Sequence, residues 1–349
     1  MNDFRTLGRT GLKVSPLGMG VMTYGWGADK QAAREIFDLY RERGGNFFDT
    51  ADMYAGGESE SWLGEFVADS GARDELVIAT KFSFNAQPGN PNAGGNGRKN
   101  ILRAIDGSLR RLRTDYVDLY ILHAWDRVTR VEEVMRTLDD LVTAGKVRHI
   151  GLSDVPAWYA SRAQALADVR GYEPIAALQL EYSLVSRSLE REHVPLAQET
   201  QMSIVPWSPL ASGFLTGKYQ RVDGKITGSG RVFDYKDSGN PALEKFAKQE
   251  RNWDILAAVL TAAKELGRTP TEVALAWVIS RPQVTSVLVG ATRKDQLELN
   301  LRALELTLPP EVERRLNEVS RPESTELDHF FEPTMQGMIH GGVPVRRGV

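Results

Sequence analysis

The 349-residue chain contains no cysteine, which excludes disulfides, thiolate metal sites and a thiol nucleophile. No apolar run approaches the roughly 20 residues that a membrane helix requires. The opening Met1-Asn2-Asp3-Phe4-Arg5 is not followed by the apolar stretch of a secretory signal, so a cytoplasmic location is the expectation. A basic excess is missing too, because 43 Lys and Arg face 46 Asp and Glu. Little is left to neutralise a phosphate backbone, and nucleic acid is not an expected partner. The histidines at 123, 149, 193, 329 and 340 lack ligand spacing and HExxH is absent, so no metal is expected. There is no GxSxG for serine catalysis. Gly18-Met19-Gly20 opens a dinucleotide fingerprint, but Thr23 stands where its third glycine belongs. Any dinucleotide must be held without a Rossmann domain.

What the chain does have is a strict alternation of short β-type runs and helix-period segments. Strand candidates fall at 17–20, 46–49, 76–81, 116–122, 147–152, 175–180, 203–205 and 285–289. Helical patterns follow each, as in the stripe Ala33, Ile36, Phe37, Tyr40 stopped by Gly44-Gly45, or Ile101, Ile105, Leu109, Leu112. Eight strand–helix units over about 250 residues predict a single-domain (β/α)8 TIM barrel with a parallel sheet, an open doubly wound sheet being the alternative. Phe4–Leu7 and Leu12–Val14 around Gly8-Arg9-Thr10-Gly11 predict an N-terminal β-hairpin. Residues 83–99 and 219–249 are long loops after the third and seventh strands, which places them at the catalytic rim. The tail, about 321–349, shows little periodicity, and the Gly94-Gly95-Asn96-Gly97 cluster reads as flexible loop.

In such barrels, polar residues at the C-terminal strand ends carry the chemistry. Here those are Asp49, Lys81, His123, Ser153-Asp154, Gln179, Trp207-Ser208 and Gly290 to Arg293, with Tyr54 just past the second strand. Each alone has an ordinary reading as cap, snorkelling cation or packing residue. Together, four of them are coherent. Lys81 ends an apolar run and needs a partner, which Asp49 on the neighbouring strand can supply. A tyrosine near that ammonium would have a lowered pKa and could give a proton to a carbonyl oxygen. His123 could orient that oxygen.

The segments FFDTADMY (47–54), VIATKF (77–82), DYVDLYILH (115–123), GLSD (151–154), LQLEYS (178–183), PWSPLASGFLTGKY (206–219) and VLVGATRKDQLELNL (287–301) resemble the aldo-keto reductases. The texture is nearest to their aryl-alcohol-dehydrogenase-like branch. The resemblance implies a nicotinamide-dependent reduction of aldehydes or ketones, with Tyr54 as acid/base, Lys81 as its partner, Asp49 as orienting carboxylate and His123 as donor to the substrate oxygen. It also implies cofactor contacts from Gly20, Met22, Ser153, Asp154 and Gln179, and from Trp207 stacked on the nicotinamide. Ser208, Pro209, Leu210, Ser212, Gly213, Leu215 and Lys218 would wrap the pyrophosphate. Gly290, Ala291, Thr292, Arg293, Gln296 and Asn300 would hold the adenosine end. Arg231 and Arg293 suit a ribose 2′-phosphate, which favours NADP(H) over NAD(H). Two departures stand out: Asp154 where many relatives have Asn, and Leu299 where many have Glu.

Trp26, Phe84 and Trp125 are candidates for an aromatic pocket that would take an aryl or bulky hydrophobic carbonyl as the small-molecule partner. Two other functions use the same scaffold. Non-catalytic potassium-channel β-subunits are similar but carry Asn where His123 stands. A barrel aldolase would use Lys81 as a Schiff-base nucleophile, which requires a neutral amine that Asp49 disfavours.

Overall fold

The structure, a computed structural model, describes residues 1, 3–222, 225–228, 230 and 243–345. Arg5–Thr6 (β1) and Lys13–Val14 (β2) pair antiparallel as the expected hairpin. Its turn leaves no choice at position 8: Gly8 has φ +59°, and a Cβ there would lie 2.4 Å from the Ala176 carbonyl oxygen. Leu7 and Val14 are fully buried beneath the barrel strands, so the hairpin plugs the N-terminal end.

Eight parallel strands follow: Leu17–Gly20 (β3), Phe47–Asp49 (β4), Val77–Phe82 (β5), Val117–Leu122 (β6), Val147–Ser153 (β7), Ile175–Glu181 (β8), Ser203–Trp207 (β9) and, after a rim hairpin Tyr219–Val222 (β10) and Lys225–Gly228 (β11), Val287–Val289 (β12). Strands β3 to β9 are neighbours in chain order, and β12 pairs with β3. Backbone bonds Ile204 N–H to Gln283 O (2.8 Å) and Thr285 N–H to Ile204 O (3.0 Å) draw β9 to the segment leading into β12 and close the cylinder. The (β/α)8 barrel is the fold.

Helices Lys30–Glu42 (α1), Glu58–Ser70 (α2), Arg98–Leu112 (α3), Val131–Thr143 (α4), Ala157–Arg170 (α5), His193–Thr200 (α6), Glu250–Leu266 (α7), Pro270–Ile279 (α8) and Lys294–Leu301 (α9) surround it, followed by Pro310–Val319 (α10). The stripe Ala33, Ile36, Phe37, Tyr40 is wholly buried against the sheet, and α1 starts where Asp29 accepts from the Ala32 N–H at 2.8 Å. Gly45 sits so close to the Tyr40 ring that no Cβ fits. No helix among the described residues is long and apolar enough to cross a membrane.

Three readings change. The 219–249 segment, expected as loop, opens with the hairpin of β10 and β11. The tail holds two short helices, Glu326–His329 (α11) and Pro333–Ile339 (α12), although its sequence is aperiodic. Their residues are not buried, so no core imposes an apolar stripe. The 83–97 loop is tied down: Ser83 Oγ donates to Asn96 Oδ1 (2.6 Å), Asn96 Nδ2 to the Ala124 carbonyl (2.9 Å), and Gly95 N–H to the Ser83 carbonyl (2.7 Å).

Candidate active site

Side chains alternate along a strand, and that parity builds the site. Phe47 of β4, Val77 and Ala79 of β5, and Leu119 and Ile121 of β6 point into the barrel, while Phe48, Ile78, Tyr120 and Leu122 face the helices. Continuing the inward series by two residues gives Asp49, Lys81 and His123. Register staggers them: Asp49 lies opposite Ala79, and Lys81 opposite Ile121. Each is one step higher than the last, as barrel shear requires. Tyr54 arrives from outside the sheet, on the short turn Tyr54–Gly57 that leads into α2.

The Lys81 ammonium is fully buried. It donates to Asp49 Oδ1 at 2.5 Å and to the Thr50 carbonyl at 2.7 Å, and reaches Tyr54 Oη at 3.4 Å. Burial pulls its pKa down, but Asp49 and Tyr54 more than compensate and the balance is raised, so it remains charged. Asp49 Oδ2 accepts from Gln179 Nε2 at 2.8 Å. Tyr54 Oη is also 3.4 Å from His123 Nε2. The structure thus brings all four residues together.

The expected direction of the Tyr54 shift is corrected. Its phenol is raised above the ordinary tyrosine value, because burial outweighs the lowering by Lys81, and Asp49 adds to the rise. The sequence shows the cation but not the depth of the pocket. His123 is pushed down to about 2 by burial and by the Lys81 charge, so its imidazole is neutral. Its Nδ1 is buried without a partner among the described residues. A buried lone pair costs less than a buried N–H, which favours the tautomer with the proton on Nε2, facing Tyr54.

The candidate cofactor residues gather along one side of the rim. Gly20 ends β3, where an added Cβ would stand 3.5 Å from the Val289 carbonyl oxygen, and Met22 follows in the next loop. Ser153 Oγ is buried beside the Asp154 carboxyl group, a hydroxyl suited to a ligand's amide. The Trp207 indole N–H donates to Asp154 Oδ1 at 3.2 Å. Desolvation lifts the Asp154 carboxyl to about 6 despite that bond. After β9, Ser208, Ala211, Ser212 and Gly213 all have φ between +50° and +87°. Left-handed non-glycine residues cost about 1 kcal/mol or more each, and such strain concentrates where backbone must wrap a ligand. Pro209, Leu210 and Leu215 complete this loop, with Leu210 O accepting from the Gly213 and Leu215 N–H groups. Lys218 folds back against Gly213.

After β12, Thr23 Oγ1 donates to the Ala291 carbonyl (2.8 Å), Gln296 Oε1 accepts from Thr292 N–H (2.9 Å), and Asn300 Nδ2 reaches the Gly290 carbonyl at 3.4 Å. Gln296 and Asn300 therefore already shape this loop. Arg293 is exposed and pairs with Asp295. Arg231 lies outside the described residues.

Of the aromatic candidates, Phe84 packs edge-on against His123, with centroids 4.8 Å apart. Trp125 meets Trp158 edge-on at 5.4 Å, beside Asp154, whose carbonyl accepts the Trp125 N–H. Trp26 is 43% exposed in the loop after β3. Sequence reasoning missed the Thr50 carbonyl, a backbone group with no side-chain signal, and Asp295. No group of three or more His, Asp or Glu that could hold a metal ion occurs among the described residues.

The aldo/keto reductase family profile matches residues 16–321. An aryl-alcohol dehydrogenase of Pestalotiopsis microspora is 36% identical over 312 residues, covering 86% of this chain and 77% of the relative. An aryl-alcohol dehydrogenase (NADP(+)) of Phanerodontia chrysosporium is 33% identical over 327 residues, covering 88% and 83%. A probable voltage-gated potassium channel subunit beta of Oryza sativa subsp. japonica is 36% identical over 333 residues, covering 93% and 99%. The chain belongs to the aldo/keto reductase family, within its aryl-alcohol-dehydrogenase-like branch, and is an oxidoreductase.

Proposed function

We propose that the protein interconverts aldehydes or ketones with alcohols using NADP(H), and that its substrates are aryl or bulky hydrophobic carbonyls. The observation that carries this reading is the position of Tyr54 Oη, 3.4 Å from both Lys81 Nζ and His123 Nε2. A carbonyl oxygen beside Tyr54 would meet a phenol that is protonated at neutral pH, with a neutral imidazole N–H close by. A bound nicotinamide would supply the hydride.

The residues do the rest. Tyr54 gives its Oη proton to the carbonyl oxygen as the carbon gains hydride, and takes it back in alcohol oxidation. Lys81, held by Asp49 and the Thr50 carbonyl, stabilises the phenolate left behind. His123 Nε2–H orients the oxygen, and Phe84 beside it keeps that approach apolar. Ser153, Asp154 and Gln179 would hold the nicotinamide carboxamide, Trp207 the ring, the 208–218 loop the pyrophosphate, and residues 290–300 the adenosine end. The preference for NADP(H) is supported by Arg293 and by similarity to the NADP(+) aryl-alcohol dehydrogenase of Phanerodontia chrysosporium.

The test is NADPH consumption against a panel of aryl, alkyl and sugar carbonyls, with Tyr54→Phe as control. Loss of about 10²-fold or more in kcat is expected of the control. Retained turnover would refute the proton-donor role, and equal rates on sugars and aryl aldehydes the substrate class. Similarity to the rice channel subunit favours one second reading, a cofactor-sensing regulatory protein. Hydride transfer limited to a single turnover would support it. A Schiff-base role for Lys81 is opposed by the charge that Asp49 imposes.

A further inference from the structure

Behind the four residues, on the outer face of the sheet, lies a second polar layer. Thr50 and Thr80 each adjoin a site residue, Asp49 and Lys81, and by strand parity point away from the barrel axis. Both are gripped by the first turn of α2. Thr50 Oγ1 lies 2.8 Å from Ser59 Oγ, which itself donates to the Val21 carbonyl at 2.7 Å. Thr80 Oγ1 donates to Glu60 Oε1 at 2.6 Å. The other Glu60 oxygen accepts from Arg111 Nε at 2.6 Å. Glu60 is fully buried. Arg111 reaches it from the end of α3 by running over Gly57, where a Cβ would come within 2.8 Å of the arginine Cδ. That glycine has φ +97° and ends the turn begun by Tyr54.

The same short stretch, residues 54–60, therefore carries the proton donor and holds β5, which carries Lys81, and the end of β4, which carries Asp49. We propose that Glu60 is a positioning residue: bridging Thr80 and Arg111, it fixes the height of β5, and with it the Lys81 ammonium, relative to the Tyr54 turn. The inference rests on reading Tyr54 as the proton donor. The geometry is sensitive, since Tyr54 Oη meets its two partners only at 3.4 Å, and a displacement of about 1 Å can cost on the order of 10²-fold in rate. The charged and titratable groups around Glu60 are Arg111, Asp52 and Tyr120, with Arg103 beside the last two. Asp52 is 5% exposed with neither carboxylate oxygen partnered among the described residues. Held by Thr80 on one oxygen and Arg111 on the other, the Glu60 carboxyl group is a strut between β5 and α3.

The experiment compares Thr80→Val, Glu60→Gln and Glu60→Ala with wild type and Tyr54→Phe. Each is checked for folding by circular dichroism, then assayed for kcat, for NADPH affinity by fluorescence, and for the alkaline limb of the pH–rate profile. Thr80→Val keeps the Glu60–Arg111 pair and loses only the strand contact. It should lower kcat about 10-fold, move the alkaline limb to higher pH as the phenol loses the ammonium, and leave NADPH affinity within about twofold. Glu60→Ala should do the same more strongly, and Glu60→Gln, which retains an acceptor for Thr80, should recover part of the loss. A folded Thr80→Val enzyme with wild-type kcat and an unmoved limb overturns the positioning role, whatever its melting temperature. Should Tyr54→Phe itself remain active, the underlying mechanism fails instead, and the inference with it.

Discussion

Gln179 donates its carboxamide to Asp49 Oδ2 at 2.8 Å, joining β8 to β4 across the top of the barrel. Asp49 is thereby shared, with Lys81 on one oxygen and Gln179 on the other. The resemblance implied that Gln179 holds the nicotinamide carboxamide. With one N–H committed to Asp49, Gln179 can still offer a ligand its second N–H and its Oε1.

Removing either member of the Asp49–Lys81 pair strands the other inside the barrel. Asp49→Asn or Lys81→Met alone leaves a buried charge or polar partner uncompensated, a loss of about 3–5 kcal/mol. The double variant should lose clearly less than the sum of the two, as urea unfolding would show. Additive losses would mean that the pair is not coupled.

His123 gives the protein an acid-side weakness. Its folded pKa, about 2, lies below the unfolded value near 6.5. Its contribution to stability is complete above pH 6.5 and is lost as pH falls toward the folded value. By pH 5 the loss is up to about 2 kcal/mol. Denaturation curves of His123→Leu should decline less between pH 7 and pH 5 than those of wild type. The imidazole also stays neutral there, so kcat should show no histidine limb near pH 6.5.

Asp52 acts in the opposite direction. Burial, then the neighbouring Glu60, lifts its carboxyl to about 7. A raised folded pKa means stability that is complete below about pH 4 and is lost as pH rises through 7. Asp52→Asn keeps the shape without the ionisation. It should therefore gain on wild type by on the order of 3 kcal/mol at pH 8 and by little at pH 4, measured by chemical denaturation. An equal effect at both pH values would show that this carboxyl does not titrate in the folded protein.

Cofactor choice should respond to Asp295 as well as to Arg293. The two side chains pair at 3.0 Å on the surface, so the guanidinium must loosen that contact to meet a 2′-phosphate. Arg293→Ala is expected to raise KM for NADPH about tenfold with little change for NADH, and Asp295→Asn to lower KM for NADPH. Equal changes for both cofactors in Arg293→Ala would remove the 2′-phosphate assignment.

Much of this site was legible because strand ends are visible in a sequence. Asp49, Lys81 and His123 each follow an apolar run, and the period of two carries all three to the barrel interior. The rest depends on distances that a chain pattern does not contain. The bond from Gln179 to Asp49 spans 130 residues. Glu60 and Arg111 look like ordinary surface charges on helices α2 and α3 until the helices are placed side by side. The direction of the Tyr54 shift was misread because a neighbouring cation can be inferred from sequence, whereas the depth of the pocket cannot. The tail helices left no periodic trace because nothing among the described residues buries one of their faces.

The seam between β9 and the approach to β12 has a consequence for how the molecule comes into being. The circle is completed only when Val287–Val289, synthesised after some four-fifths of the chain, settles beside Leu17–Gly20. The loop proposed for adenosine begins at the next residue, and its first anchor is the bond from Thr23 to Ala291. In order of synthesis, Tyr54 and Lys81 thus precede the dinucleotide loop by more than 200 residues. Tight NADPH binding would then serve as a molecular certificate that the last staves of the cask are in, and a supply of cofactor would favour finished molecules over partly wound ones.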